Sequence, residues 1–384
     1  MRDCSENAIL VGMCASLSGD FHVQGTQALH GVIAWIRDVN RDGGIFVKDR
    51  DDRLPVSLIH YDDHSRMSAV RDCVAKLIEK DRIDILIGPY GSSLSIAAAN
   101  VADRQQMILW NQGGSSDGIY EKGYKYVLGV LAPASEYLSS LPDALKTHIP
   151  DARTYAIVTA NKGNFPTSVA SGVCSALDCK GFSNVLSEEY DVGNIQFDEI
   201  VHRVKQCHPD ILICVGRIET DLIIARQIVE SDAKSATKLC VFVAAGISQF
   251  GEVLKENADG FVGPVQWHRD VSHMVDVGPT NSEVSNSLRE TSRIPVDYPM
   301  VQAYSTGIVV QNIIEIAGSL NQNALRDSAL KADFTTFFGR FKLDPRSGKP
   351  LNKLVPLVQW QAGSMELVWP QGSSSISLRP TDDF

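Results

Sequence analysis

What the 384-residue chain lacks narrows its function first. No apolar stretch reaches the roughly 18 residues that cross a bilayer, so direct membrane insertion is not expected. The opening residues, Met1-Arg2-Asp3-Cys4-Ser5-Glu6, lack the apolar core of a secretory leader, as expected of a cytoplasmic protein or of one whose leader has been removed. Lys and Arg number 36 against 46 Asp and Glu, a formal net charge of −10, and they form no cluster. Nucleic acid is therefore not an expected partner, because a phosphate backbone is met by a basic face. The chain has no Gly-x-Ser-x-Gly elbow, phosphate-binding Walker loop, His-Glu-x-x-His or Gly-x-Gly-x-x-Gly fingerprint. Those absences remove the usual grounds for hydrolysis, phosphoryl transfer or dinucleotide use, and no cofactor is expected. An enzyme with an unrecognised site stays open as the lesser alternative.

Cysteine is present without a framework. The eight positions are Cys4, Cys14, Cys73, Cys174, Cys179, Cys207, Cys214 and Cys240. Cys14, Cys214 and Cys240 lie in strand-like apolar runs, where a free thiol acts as a small hydrophobe. One bridge, Cys174 with Cys179 or Cys207, stays open, since connectivity is not deducible from spacing.

What is there is an ordinary globular composition, 44% hydrophobic and 21% charged, on a chain long enough for two domains. Strand-like runs alternate with helix-like segments: Ala8–Cys14 then Thr26–Asn40, Pro55–His60 then Ser68–Lys80, Ile83–Ile87 then Ser95–Arg104, and Met107–Trp110. That rhythm specifies α/β architecture, a parallel sheet covered by helices. Ala28, Val32, Trp35, Ile36 and Val39 recur at helical spacing, as do Val70, Val74, Leu77 and Ile78. The rhythm restarts after Pro133, from Tyr155–Thr159 to Cys240–Ala245. A third segment carries the helix-like Pro299–Leu320 and Ala324–Ala332 and reads as a return to the first domain. Leu354–Gln361 and Met365–Trp369 then re-enter the second, before a Ser-rich tail, Ser373–Ser377.

In an open parallel sheet, ligands are met beyond the carboxyl ends of the strands, where loops and helix N-termini converge. Three loops of the first half fit: Ser16–Asp20 with Phe21, His22 and Gln24; Gly88–Ser93; and Asn111–Ser116. Each combines Gly, which permits close backbone approach, with short hydroxyl or amide side chains. Ser92 or Ser93 is expected either to cap the following helix or to contact an electron-rich ligand at its N-terminus.

The order and spacing of Leu17-Ser18-Gly19, Val39-Asn40-Arg41-Asp42-Gly43-Gly44-Ile45, His60-Tyr61-Asp62-Asp63, Ile87-Gly88-Pro89-Tyr90-Gly91-Ser92-Ser93 and the later Tyr304 resemble the type I periplasmic binding proteins of the leucine/isoleucine/valine-binding group. The resemblance spans nearly the whole chain. It implies two Rossmann-like lobes joined by a three-strand hinge, with a small-molecule ligand held as the lobes close. The expected lobes are residues 1–130 with 265–345 and residues 131–264 with 346–384, crossing near Gly129–Leu131, Gly263–Val265 and Lys342–Pro350.

Carried over residue by residue, the resemblance makes Ser92 the serine for a ligand carboxylate. Gly113 and Ser115 become the backbone carbonyl and hydroxyl that hold ammonium and carboxylate, with Gly114 between them. Gln24 stands where an aromatic is common, and Tyr90 and Tyr298 are pocket-wall candidates. In the second lobe, Phe165 matches an aromatic wall and Arg217 stands in place of a Tyr. Ala245, before Gly246, stands where an amino-acid binder carries the acid that pairs with the ligand's ammonium. A buried ammonium without a carboxylate is costly, so a carboxylate or a neutral aromatic or polar solute is expected rather than a branched-chain amino acid. The competing view of Arg217 is a helix-start surface residue paired with Glu219 or Asp221. A two-residue slip would make Glu219 the missing acid.

Two partner readings follow. A solute receptor of the periplasm, or another extracytoplasmic space, would serve ABC permease subunits; a cytoplasmic sensor of the amide-responsive kind would act on a signalling partner. His60, Asp62 and His64 alternate at a strand end and offer a metal-type spacing, but they read more simply as a strand-to-loop transition, and no metal is expected.

Overall fold

The computed structural model describes residues 8–193, 197–231, 233–373 and 375–384. Met1–Glu6, with Cys4, and Ser374 of the tail lie outside the described residues. The chain divides into two compact units, Met1–Pro133 with Ser272–Lys353 and Ala134–Val271 with Leu354–Phe384. The sequence had placed the last two crossings nearer 265 and 346. Val265 stays with the second unit because its N–H donates to the Pro356 carbonyl at 3.0 Å, and Gly348 stays with the first because its carbonyl accepts from Gly129 at 3.0 Å.

The first unit opens with β1 (Ile9–Ala15), α1 (His22–Arg41), the short hairpin β2 (Ile45–Val47) and β3 (Asp52–Leu54), then β4 (Val56–Asp62) and α2 (Met67–Glu79). It continues with β5 (Ile85–Ile87), α3 (Ser92–Arg104), β6 (Leu109–Asn111) and β7 (Val127–Gly129). Its sheet runs β4-β1-β5-β6-β7, with every neighbouring pair parallel. The expected stripe of α2 is the buried one: Val70, Val74 and Leu77 join Ala97, Ala98 and Leu109 in one core.

The second unit begins with α4 (Leu141–His148), β8 (Thr154–Ala160), α5 (Asn164–Cys179), β9 (Ser183–Tyr190), α6 (Phe197–Cys207), β10 (Ile211–Val215) and α7 (Ile218–Glu230). β11 (Leu239–Phe242), α8 (Ser248–Leu254) and β12 (Phe261–Pro264) follow. The strand expected to reach Ala245 stops at Phe242, and Val243–Gly246 forms a 3-10 turn.

The chain then returns to the first unit with α9 (Asn281–Thr291), α10 (Tyr298–Ala317), α11 (Gln322–Lys331) and the hairpin β13 (Asp333–Thr336) and β14 (Gly339–Lys342). β15 (Leu357–Gln361) and β16 (Ser364–Trp369) complete the second sheet, β16-β15-β12-β11-β10-β8-β9, parallel except where β15 and β16 join it. Among the described residues, no helix is long and apolar enough to cross a membrane.

Local chemistry explains the family-like segments. α1 lies closely on α10: a Cβ on Gly31 would stand 2.0 Å from the Met300 carbonyl, and one on Gly307 would stand 2.1 Å from the Trp35 ring. Asn40 ends α1 by exchanging two hydrogen bonds with the backbone of Val56, at 2.7 and 2.8 Å. Tyr304 donates to Asp38 at 2.9 Å, tying α10 to α1, so it supports the fold rather than a ligand. Cys174, Cys179 and Cys207 are free thiols, so neither expected bridge is present.

Candidate functional site

In the first unit the three expected loops lie beyond the carboxyl ends of β1, β5 and β6 and hold one another in place. Gly113 forms a parallel bridge with Tyr90, and its carbonyl accepts from the Gly91 N–H at 2.9 Å. The carbonyl expected to meet an ammonium therefore already has one donor. Gly113 has no room for a side chain, since a Cβ would sit 2.4 Å from the Pro89 carbonyl oxygen. Gly114 is fixed by the Asn111 amide, which accepts from its N–H at 2.9 Å and donates to its carbonyl at 2.7 Å.

The serines do not cap α3. Gly91 occupies the N-cap position at φ 93°, and no side chain bonds to the helix end. Ser92 Oγ instead accepts from the Ser116 N–H at 3.1 Å, which leaves its own proton to donate. Ser115 is 6% exposed, and its hydroxyl has no hydrogen-bond partner among the described residues. Two hydroxyl donors thus stand beside an uncapped helix N-terminus, where the first N–H groups and the helix dipole favour negative charge.

An aromatic wall borders them. The Tyr90 and Tyr298 hydroxyls hydrogen-bond to each other, and the Phe21 ring meets Tyr90 edge-on at 5.9 Å. Gln24 lies in the first turn of α1, and its Oε1 is buried without a partner. Gln302 on α10 is 1% exposed; its amide donates towards Gln112 at 3.4 Å, while its own Oε1 lacks a partner.

Two carboxylates missed as positioning groups hold the first loop. Asp62 accepts from the Leu17 N–H at 3.0 Å and the Ser18 hydroxyl at 2.8 Å, while Asp63 accepts from the Ser16 hydroxyl at 2.6 Å. Burial works to raise the Asp62 pKa, but donors from His64, Ser18 and Leu17 outweigh it and hold the carboxyl below its ordinary value. At Asp63 burial wins and the pKa is raised despite the Ser16 and Ser65 donors. His64 Nδ1 lies 3.0 Å from Asp62, but no group of three or more His, Cys, Asp or Glu suited to a metal occurs among the described residues.

In the second unit, Phe165 lies in the first turn of α5 and meets Tyr137 edge-on at 5.3 Å. Arg217, exposed, immediately precedes α7, and its Nη2 lies 3.7 Å from where a Cβ on Gly163 would stand. It pairs with neither Glu219 nor Asp221, and its guanidinium has no partner among the described residues. Asp221 is instead fully buried: one oxygen accepts from the Ala244 N–H at 3.0 Å and the other has no partner. Burial lifts its carboxyl well above the ordinary range. Glu219 is exposed in the first turn of α7.

Gly246 passes so near β12 that a Cβ would stand 2.0 Å from the Pro264 carbonyl. Ala245 is 0% exposed within the core around Phe242 and Phe250, and its carbonyl accepts from Trp360 Nε1 at 2.8 Å. Its side chain is therefore enclosed in apolar surroundings, which explains why no acid stands there.

The family model described as a periplasmic binding protein matches residues 8–364. The Leu/Ile/Val-binding protein BraC3 of Rhizobium johnstonii is 22% identical over 368 residues, covering 93% of each chain. Among solved structures, a putative branched-chain amino acid ABC transporter from Silicibacter pomeroyi superposes with TM-score 0.82 at 15% identity, covering 97% of this chain and 98% of its own. A solute-binding protein of an R. palustris ABC transporter in complex with 4-hydroxybenzoate superposes with TM-score 0.76 at 16% identity, covering 93% and 95%.

Proposed function

The chain belongs to the periplasmic binding protein family, and from that premise we propose that it is the solute-binding subunit of an ABC transporter. Its solute is a small carboxylate, or a neutral aromatic or polar molecule, in preference to a branched-chain amino acid. The observation that carries the reading is the uncapped start of α3 with the free donors of Ser92 and Ser115 beside it. A carboxylate placed there would exchange water for charge-assisted hydrogen bonds, which are stronger than neutral ones. Within the second unit, taken by itself, the unpaired Arg217 guanidinium offers a planar fork to a carboxylate or other acceptor. Tyr90, Tyr298 and Phe21 provide flat apolar surface with hydroxyls at its edge, which suits an aromatic ring better than an aliphatic side chain alone.

The role is binding rather than catalysis, and the partners are permease subunits outside the cytoplasm. The structural relative that holds 4-hydroxybenzoate supports an aromatic acid, while the leucine-binding relatives keep the amino-acid alternative testable. A thermal-shift screen of amino acids, amides, aromatic acids and hydroxy acids tests the reading. The expected result is a rise in melting temperature with an aromatic or other carboxylate and none with leucine, isoleucine or valine. Stabilisation by leucine alone would overturn the ligand class.

A further inference from the structure

Cys14, whose place in an apolar strand suggests a simple core residue, has a second thiol beside it. Cys14 is 0% exposed on β1, and its Sγ lies 4.0 Å from the Val70 carbonyl on α2. Cys73 follows Val70 by one helical turn, and its Sγ lies 3.7 Å from the Asp62 carbonyl. Asp62 is the register partner of Ala15, the residue after Cys14, so both sulfurs lie at the same junction of β1, β4 and α2. The two thiols are near enough to shift each other's acidity in opposite directions. Cys73 is half-buried and therefore within reach of a small reagent, whereas Cys14 is enclosed behind it.

We propose that Cys14 and Cys73 are a redox-active dithiol that closes to a disulfide by exchange with a low-molecular-weight disulfide, stapling β1 to α2 behind the 16–18 loop. The exchange begins at Cys73, since the thiolate is the attacking species. The neighbouring Cys14 thiol holds the Cys73 thiol below its ordinary pKa against the opposing effect of burial, and Cys73, together with burial, pushes Cys14 well above its own. Cys73 sulfur attacks one sulfur of the reagent and breaks its S–S bond. The first reagent half leaves as a thiolate and takes up the proton that Cys73 released. Cys14 sulfur then attacks Cys73 sulfur in the mixed disulfide, its proton passing to the second departing reagent thiolate. Two cysteine thiols are oxidised and one small disulfide is reduced to two thiols.

The site is distinct from the solute donors and adjoins the first loop. Cys73 donates to the backbone of Asp62, whose side chain holds Leu17 and Ser18. Closure removes that S–H donor, and the cross-link spans a long stretch of sequence, so it constrains the unfolded chain strongly.

The test is peptide mapping of the folded protein after incubation with oxidised glutathione and alkylation of the remaining thiols. The expected result is a cross-linked peptide joining Cys14 to Cys73. In Cys14→Ser a stable glutathione adduct should accumulate at Cys73 with no cross-link, and in Cys73→Ser the enclosed Cys14 should stay unmodified. Oxidation should raise the melting temperature of the wild-type protein by roughly 5 °C, and that of neither variant. The proposal is overturned if Cys73 of the folded, oxidant-treated wild type still alkylates fully and no Cys14–Cys73 peptide appears. The wild-type map decides this even if a variant fails to fold.

Discussion

The Ser116 N–H donates to Ser92 Oγ at 3.1 Å, so the loop after β6 and the first residue of α3 form one hydrogen-bonded piece. That bond occupies the serine's acceptor side and leaves its proton for a ligand. Ser92→Ala removes both roles, whereas Ser115→Ala removes only a donor with no internal partner. Both substitutions are expected to weaken solute binding by about 1–3 kcal/mol. Only Ser92→Ala is expected to lower the melting temperature measurably. Calorimetry with the solute found by screening, alongside thermal melts, checks both; equal affinity in the two variants and the wild type would remove these serines from the site.

Arg217→Gln separates ligand contact from surface decoration. An exposed arginine with no internal partner adds little to stability, so the melt should shift by no more than about 0.5 kcal/mol equivalent. Binding of a carboxylate should fall at least tenfold, and more steeply at low salt. Unchanged binding would return Arg217 to the plain surface.

Asp221 gives the second unit a pH dependence of known sign. Burial raises its folded pKa above the unfolded value. The folded chain therefore holds a proton that the unfolded chain has released, and stability falls as pH rises from about 4 towards the folded pKa. Asp221→Asn keeps an oxygen for the Ala244 N–H and has no charge to bury. Its melting temperature should lose that decline above pH 4; a wild-type melting temperature that does not fall as pH rises from 4 would contradict the assignment.

Lys353 works in the opposite sense in the first unit. It is 6% exposed with its ammonium 4.4 Å from the centre of the Phe338 ring, and burial lowers its pKa to about 7. Between about 7 and its ordinary value the unfolded chain binds the proton and the folded chain does not, so stability rises with pH across that window. Lys353→Met should flatten the rise and stabilise the protein at pH 7 and below. A wild-type melt that does not change over this range would contradict the assignment.

Much of the fold was legible because its elements are local. The stripe Val70, Val74 and Leu77 can face only one way on a helix, and it is the buried face. Gly113 and Gly114 were readable as loop glycines, and the structure supplies the close approaches that demand them. Relationships across long separations were not legible. Nothing in the sequence joins Tyr90 to Tyr298, 208 positions apart, or Cys14 to Cys73. Asp221 was taken as a surface acid for Arg217 because a first-turn aspartate is usually solvated; it is buried because the 243–246 turn folds over it and supplies an N–H. Ala245 was aligned to a ligand-facing acid, but the strand ends early and turns that side chain into the core.

The central claim is that a carboxylate-bearing or neutral aromatic solute is held at the start of α3. Calorimetric titration of an aromatic acid such as 4-hydroxybenzoate and of leucine into wild type, Ser92→Ala and Ser115→Ala tests it most directly. The account predicts saturable binding of the aromatic acid, weakened at least fivefold in each variant, and no heat from leucine. Tight leucine binding that both variants retain unchanged would contradict it.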